Sequence, residues 1–373
     1  MSFSRILIRA ANWIGDAVMS LPALRAIRAR FPEAHIAVLA RPWVAGLYAR
    51  ERFADQVLLA PTGSGAGAWA GRWRLARRLH AERFDAAILL PNSFESALTV
   101  FLAGIPRRIG YRRDGRSLLL TGRIATPAEN GARRHECYYY LELLHRAGIL
   151  DEVPEVTGIR LDAATEARTA GQERFAAAGI EGPVIGVSPG AAFGSAKRWL
   201  PERFAKAASQ VARRENAAIA VFGSAGERPL CEEVAGRLAR AGLTVRNFAG
   251  ETSLQDFIDL TAACRAFLTN DSGAMHVAYA AGVPTVAVFG PTDHVGTGPV
   301  GAHTRIVRHP FDCAPCKLRE CPIDHRCMTA VAAGEVAAVT LDLLDSLSHS
   351  SASAPVSGDG SGADRTGIAQ IES

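Results

Sequence analysis

Along the first 150 residues, short apolar runs alternate with stretches whose apolar side chains recur every three or four positions. Residues 6–9 read as a strand, and 18–30, with Leu21, Leu24 and Ile27 at three-residue spacing, as a helix. Pro22 suits the first turn of that helix, where an amide N–H is not required. Further strands are predicted at 35–40, 56–59 and 86–90, and helices at 43–48, 69–80, 93–102 and 133–147. This is the strand–helix alternation of a parallel sheet covered on both faces.

The pattern becomes irregular over 150–182 and then restarts. Strands are predicted at 183–188 and 217–222 and helices at 201–212 and 227–239, with the alternation continuing through 253–260, 266–269, 274–280 and 285–289. Two such units imply an α/β protein of two Rossmann-like domains facing a cleft, with boundaries near 1–165 and 180–345. The Ser-, Gly- and Ala-rich tail, 346–373, has little to bury and is expected to be disordered.

A length of 373 residues accommodates two domains, and 48% hydrophobic with 21% charged residues is a globular composition. No run approaches the ~20 apolar residues of a membrane span. The start of the chain shows no secretory h-region, so a cytosolic location is expected. Charge is uneven: residues 1–180 hold 25 Lys and Arg against 17 Asp and Glu, and the remainder 17 against 20. An anionic partner is therefore expected at the first half. A nucleic acid is disfavoured, because no recognised module and no interleaved aromatic and basic strands are present.

Four segments carry candidate chemistry. In Ala11-Asn12-Trp13-Ile14-Gly15-Asp16, the carboxylate falls between the first strand and the first helix, where open α/β sheets bind ligands. Asp16 there is either a helix cap or a general base facing the cleft. The loop from Ser188 and Gly190 to Lys197 follows the first strand of the second unit, and its small residues leave backbone amides open to a phosphate. Lys197 is one of only three lysines and would supply a mobile charge. Asp271, Ser272 and Gly273 form a turn at the start of a small-residue helix that carries His276. Anions are favoured at such a helix start, and a nearby carboxylate suits ribose hydroxyls. Finally, Cys313, Cys316, Cys321 and Cys327 follow C-x2-C-x4-C-x5-C spacing, which fits either a structural zinc or four reduced thiols in an irregular loop.

Taken in order, these segments resemble glycosyltransferase family 9, the ADP-heptose:lipopolysaccharide heptosyltransferases, over residues 4 to 345. The resemblance rests on Ala11 through Asp16 with Ser20-Leu21-Pro22, on Ser188-Pro189-Gly190 through Trp199, and on Asp271 through His276 with Gly282-Val283-Pro284. The cysteine run with Arg319-Glu320-Cys321-Pro322 is similar to the members that add the second inner-core heptose. The resemblance implies a GT-B fold and an inverting transfer from ADP-L-glycero-β-D-manno-heptose to an anionic lipopolysaccharide core, with no cofactor or catalytic metal required. It implies Asp16 as base and Lys197 as the partner of the leaving diphosphate. Ser188, Gly190, Asp271, Ser272, Gly273 and His276 become donor contacts, Asp271 at the ribose. It also implies peripheral work at the cytoplasmic face of the inner membrane. Two arginine groups are the expected acceptor contacts: Arg72, Arg74, Arg77 and Arg78 beside Trp69 and Trp73, and Arg107, Arg108, Arg112, Arg113 and Arg116.

Overall fold

The structure is a computed structural model describing residues 2–63, 65–127 and 134–352. In the first half, β1 (Arg5–Arg9) leads into α1 (Ile14–Met19) and α2 (Leu21–Arg30), followed by β2 (His35–Ala40), α3 (Pro42–Tyr48), β3 (Gln56–Leu59) and α4 (Gly65–Ala81). β4 (Ala86–Leu89), α5 (Phe94–Leu102), β5 (Arg107–Tyr111), β6 (Gly122–Ile124) and α6 (Glu136–Arg146) complete it, and α7 (Ala164–Ala177) leads to the second half. There β7 (Val184–Ser188), α8 (Pro201–Glu215), β8 (Ala218–Val221), α9 (Arg228–Arg240), β9 (Val245–Asn247) and α10 (Leu254–Ala262) come first. β10 (Ala266–Asn270), α11 (Gly273–Ala280), β11 (Thr285–Val288), α12 (His294–Thr297), β12 (Thr304–Val307), α13 (Arg326–Thr329) and α14 (Ala333–Ala352) follow.

Both sheets are six-stranded and parallel, in the orders β3-β2-β1-β4-β5-β6 and β12-β11-β10-β7-β8-β9. Each numbers 3-2-1-4-5-6 within its own half, so the fold is two Rossmann-like domains about a cleft. Strand order reverses between β1 and β4 and again between β7 and β10, and ligands bind at such switch points, outside the carboxyl ends of the strands. Asp16 follows β1; the loop to Lys197 follows β7; Asp271 follows β10. Topology alone thus brings three of the four segments to facing edges.

The two domains share one hydrophobic cluster, which runs from Ile6, Val18 and Tyr140 to Phe175, Phe267 and Met275. Across the same seam, Arg50 pairs with the fully buried Asp259 at 2.7 Å, and Arg174 reaches that carboxylate at 3.4 Å. A buried carboxylate needs such partners, and breaking a pair of this kind typically costs about 3–5 kcal/mol.

The structure departs from the sequence-based expectations in four places. The helix expected over 18–30 is two helices: α1 ends at Ser20, whose hydroxyl donates to the Ala17 carbonyl at 2.8 Å, and Pro22 sits in the first turn of α2. Asp16 consequently lies in the first turn of a helix rather than in the loop before it. The irregular stretch 150–182 contains α7, which buries only Ala167, Gly171 and Phe175. Two of those three residues are small, so α7 lacks the periodicity of large apolar side chains. Short or charged strands escaped notice: β5 opens on two arginines, while β6, β9 and β12 are edge strands of three or four residues. Lastly, α14 continues through the first residues of the expected tail to Ala352; 353–373 lie outside the described residues.

Candidate active site

The site forms where α1 of the first domain meets α11 of the second. A Cβ on Gly273 would stand 3.2 Å from Ile14 Cβ, and one on Gly15 only 2.9 Å from His276 Cδ2. The absence of side chains at these two glycines is what allows the helix starts to approach across the interdomain seam. Asp16, one residue on from Gly15, is thereby held at the boundary between domains.

Burial pushes the Asp16 carboxyl up to about 6, opposed by the positive charge of Lys197. A carboxylate at that level remains ionised at neutral pH yet is a stronger base than one in water. Glu136, in the first turn of α6, is raised to about 7 by its burial and by the charge of Asp16. The two carboxylates therefore share a poorly hydrated environment and oppose simultaneous ionisation.

On the opposite side, Lys197 Nζ lies 2.7 Å from Asp271 Oδ2 and 5.0 Å from the centre of the Phe193 ring. Thr292 Oγ1 donates to the same carboxylate oxygen at 2.5 Å. The lysine loop is fixed to the turn after β10 by Asn270, which is fully buried. Its Oδ1 accepts from Trp199 N at 3.0 Å and its Nδ2 donates to the Pro189 carbonyl at 2.7 Å. Ser188 is buried at the end of β7, and a Cβ on Gly190 would overlap the Glu227 carboxylate at 2.2 Å. Ser272 Oγ meets Thr269 Oγ1 at 3.2 Å at the start of α11. His276 is buried, bonded through Nδ1 to Tyr279 Oη at 3.1 Å, and held down to about 4 by burial. It is therefore neutral at pH 7, and a charge for an anion must come from Lys197.

A half-buried carboxylate of the first domain and a lysine of the second thus sense each other across two Rossmann-like domains. The sequence profile of glycosyltransferase family 9 (heptosyltransferase) matches residues 72–326. Lipopolysaccharide heptosyltransferase 2 of Escherichia coli (strain K12) is 36% identical over 311 residues, covering 82% of this chain and 88% of that protein. The chain belongs to glycosyltransferase family 9. Among solved structures, E. coli ADP-heptose lps heptosyltransferase II superimposes with a TM-score of 0.77 at 29% identity, covering 92% of this chain and 99% of that one. A family 9 glycosyltransferase of Veillonella parvula shares the fold, with a TM-score of 0.79 at 22% identity, covering 92% and 98%.

The cysteine run of this family 9 enzyme lies beside the lysine loop. Cys313, Cys316, Cys321 and Cys327 are free thiols around a cavity of about 70 Å3, and none of the groupings among the described residues is placed to hold a metal ion. The loop buttresses Lys197: Ala196 N donates to the Arg319 carbonyl at 3.0 Å, and His325 Nε2 meets the Ala196 carbonyl at 2.7 Å. Gly194 is obligatory there, since a Cβ would stand 2.2 Å from the Arg319 oxygen.

Two of the arginines expected at the acceptor are structural. Arg116 is fully buried, donating to the carbonyls of Tyr111 and Pro91 and to the side chains of Asn92 and Ser96. Arg108 donates to the carbonyls of Leu119 and Ile105. Glu136, Glu227, Thr292 and Asn270 escaped the sequence reading. Only Glu227 left a local sign, the Ser224-x-x-Glu227 capping box in which Ser224 N and Oγ both donate to Oε2.

Proposed function

We propose that this enzyme transfers L-glycero-D-manno-heptose from ADP-L-glycero-β-D-manno-heptose to the first heptose of the lipopolysaccharide inner core, with inversion. The observation that carries this reading is the half-buried Asp16 at the interdomain seam, within reach of the charge of Lys197, in a chain similar over most of its length to a lipopolysaccharide heptosyltransferase 2. In the reaction, the acceptor hydroxyl oxygen bonds to the anomeric carbon from the face opposite the diphosphate. Asp16 takes the hydroxyl proton, the bond to the phosphate oxygen breaks, and ADP departs with the electron pair, leaving an α-linked heptose.

Lys197 offsets the charge that develops on ADP. It is already paired with Asp271, so the diphosphate competes with that carboxylate for the ammonium. Ser188, Gly190, Ser272 and Gly273 line the donor side, and His276 supports it as a neutral group. For ribose, Asp271 has one oxygen already occupied by Lys197 and Thr292. Glu227, which follows β8 and lies over Gly190, occupies a position where Rossmann folds commonly place a ribose-binding acid, and both carboxylates are assigned to the nucleoside side. The enzyme is proposed to work at the cytoplasmic face of the inner membrane without crossing it; no helix among the described residues is long and apolar enough to do so.

The test is a mass-spectrometric transfer assay with ADP-heptose and core acceptors bearing or lacking the first heptose. Addition of one heptose only to the acceptor that carries the first is expected. Addition to the heptose-free acceptor would instead identify the enzyme that acts one step earlier.

A further inference from the structure

The cysteine run lies over the lysine loop and is fastened around it at more than one point. Ala196 N donates to the Arg319 carbonyl at 3.0 Å, and Lys317 N donates to the Pro291 carbonyl at 2.8 Å. The main chain of Arg319 passes so close to Gly194 that a Cβ there would meet it. The side chain then turns back to the same loop. Arg319 Nη1 donates to the Phe193 carbonyl at 3.3 Å, and the guanidinium stands 5.2 Å from the centre of the Phe193 ring. Backbone and side chain together dock Arg319 on the segment that follows β7, at the carboxyl edge where Rossmann-like domains bind ligands.

The Phe193 ring is shared. Lys197 Nζ lies 5.0 Å from its centre, so an ammonium and a guanidinium both sit within the ~6 Å at which an aromatic ring attracts a cation. The ring attracts each charge, but the two cations repel one another, and an anion bound between them replaces that repulsion with attraction. Lys197 is committed to Asp271 at 2.7 Å and is largely buried. Arg319 is exposed and makes no ion pair among the described residues. It is a docked guanidinium whose charge is still open to a partner.

The proposed donor calls for such a group. Its diphosphate carries two negative charges, and ADP gains a third when the bond to the sugar breaks. Within the seam, Lys197 and Asp271 together carry no net charge, and His276, held down to about 4, adds none at pH 7. We propose that Arg319 is a second cation for the donor diphosphate, reaching it from the cysteine loop while Lys197 reaches it from the seam. A guanidinium presents parallel N–H donors that match phosphate oxygens. This rests on the nucleotide-donor reading given above and adds a residue to the donor side. It also gives the cysteine loop a task, which is to hold a guanidinium against the lysine loop.

Arg319→Gln removes the charge and leaves the carbonyl that braces Ala196. Isothermal titration with ADP, and with adenosine as its phosphate-free counterpart, separates a phosphate contact from a loop brace. Arg319→Gln is expected to raise the ADP Kd roughly 5- to 20-fold, the scale of a partly exposed charge-assisted hydrogen bond, and to leave adenosine affinity unchanged. Arg319→Lys should recover part of that loss, because an ammonium restores the charge without the fork. In initial rates with ADP-heptose, Arg319→Gln should raise the donor KM and lower kcat, with the acceptor KM within about twofold of the wild type. A wild-type ADP Kd in Arg319→Gln overturns the proposal. So does an equal loss for ADP and adenosine, which would make Arg319 a brace of the loop. So does a rise confined to the acceptor KM, which would place the guanidinium on the acceptor. No acceptor enters the titrations, so wild-type protein that binds ADP yet transfers no heptose defeats the proposed reaction and leaves the role of Arg319 standing. Wild-type protein that ignores ADP defeats the donor reading itself.

Discussion

In the proposed reaction Asp16 is the base and Lys197 the partner of the leaving diphosphate, and their coupling makes a signed prediction. Burial raises the Asp16 carboxyl to about 6, and the lysine charge opposes that rise. A general base must be ionised, so kcat/KM should fall as pH drops through about 6, with an acid limb of unit slope. Removing the lysine charge in Lys197→Met withdraws a stabiliser of the carboxylate. The acid limb of the residual activity should then move to higher pH, measured as a pH–rate profile at saturating acceptor. A limb that stays in place would show that the two groups do not sense each other during turnover. Asp16→Asn should lose activity by at least the ~10²-fold typical of a general base, with its melting temperature within a few degrees of the wild type.

Among elements, α7 against α10 and α1 against α11 are seams that depend on single glycines. A Cβ on Gly171 would stand 1.9 Å from the Asp259 carbonyl oxygen, which is backbone and cannot rotate away. Gly171→Ala must therefore part α7 from α10. The expected cost is ~1–3 kcal/mol, the usual range for overpacking, read as a lower urea midpoint with an unchanged slope. Gly15→Ala meets a side chain, the His276 ring, at 2.9 Å. It should cost less stability but displace α1 from α11. The expected readout is a fall in kcat larger than the shift in melting temperature would suggest. A mutant with normal kcat would show that the helix starts need not be this close for transfer.

For the molecule as a whole, only part of the arginine complement of the first half is free to meet a partner. Arg116 and Arg108 are spent on backbone carbonyls, and Arg25, Arg28 and Arg50 are paired with Glu51, Asp55 and Asp259. The exposed remainder includes Arg74, Arg77 and Arg78 on α4. If these arginines help gather an anionic acceptor, its KM should rise between about 0.05 and 0.3 M salt, as the Debye length shrinks from above ~10 Å to well below it. The donor KM should move less, because Lys197 is largely buried between the domains. Replacing Arg74, Arg77 and Arg78 together by Gln should flatten the salt dependence, measured at fixed pH with detergent-dispersed acceptor. An acceptor KM indifferent to salt in both proteins would remove these arginines from recognition.

Much of this protein was legible before any coordinates. Apolar runs located β1, β2, β4, β7, β8, β10 and β11, because a strand buried on both faces must be apolar nearly throughout, and the edge strand β3 with them. The interior strand β5 opens on two arginines and left no such run. The small-residue loops after β1, β7 and β10 marked the site, since parallel α/β sheets present their ligand-facing loops at the carboxyl ends of strands. Tertiary structure decided the rest. β6, β9 and β12 are only three or four residues long, and α7 buries one large side chain among three, which leaves little hydrophobic signal. The raised carboxyls of Asp16 and Glu136 come from burial against residues far away in sequence. The pairing of Lys197 with Asp271 joins positions 74 residues apart. The thiol spacing left a structural zinc and four reduced thiols both open, because spacing constrains only separation along the chain. The loop's path in space decided its contacts, which brace the lysine loop through Arg319 and His325.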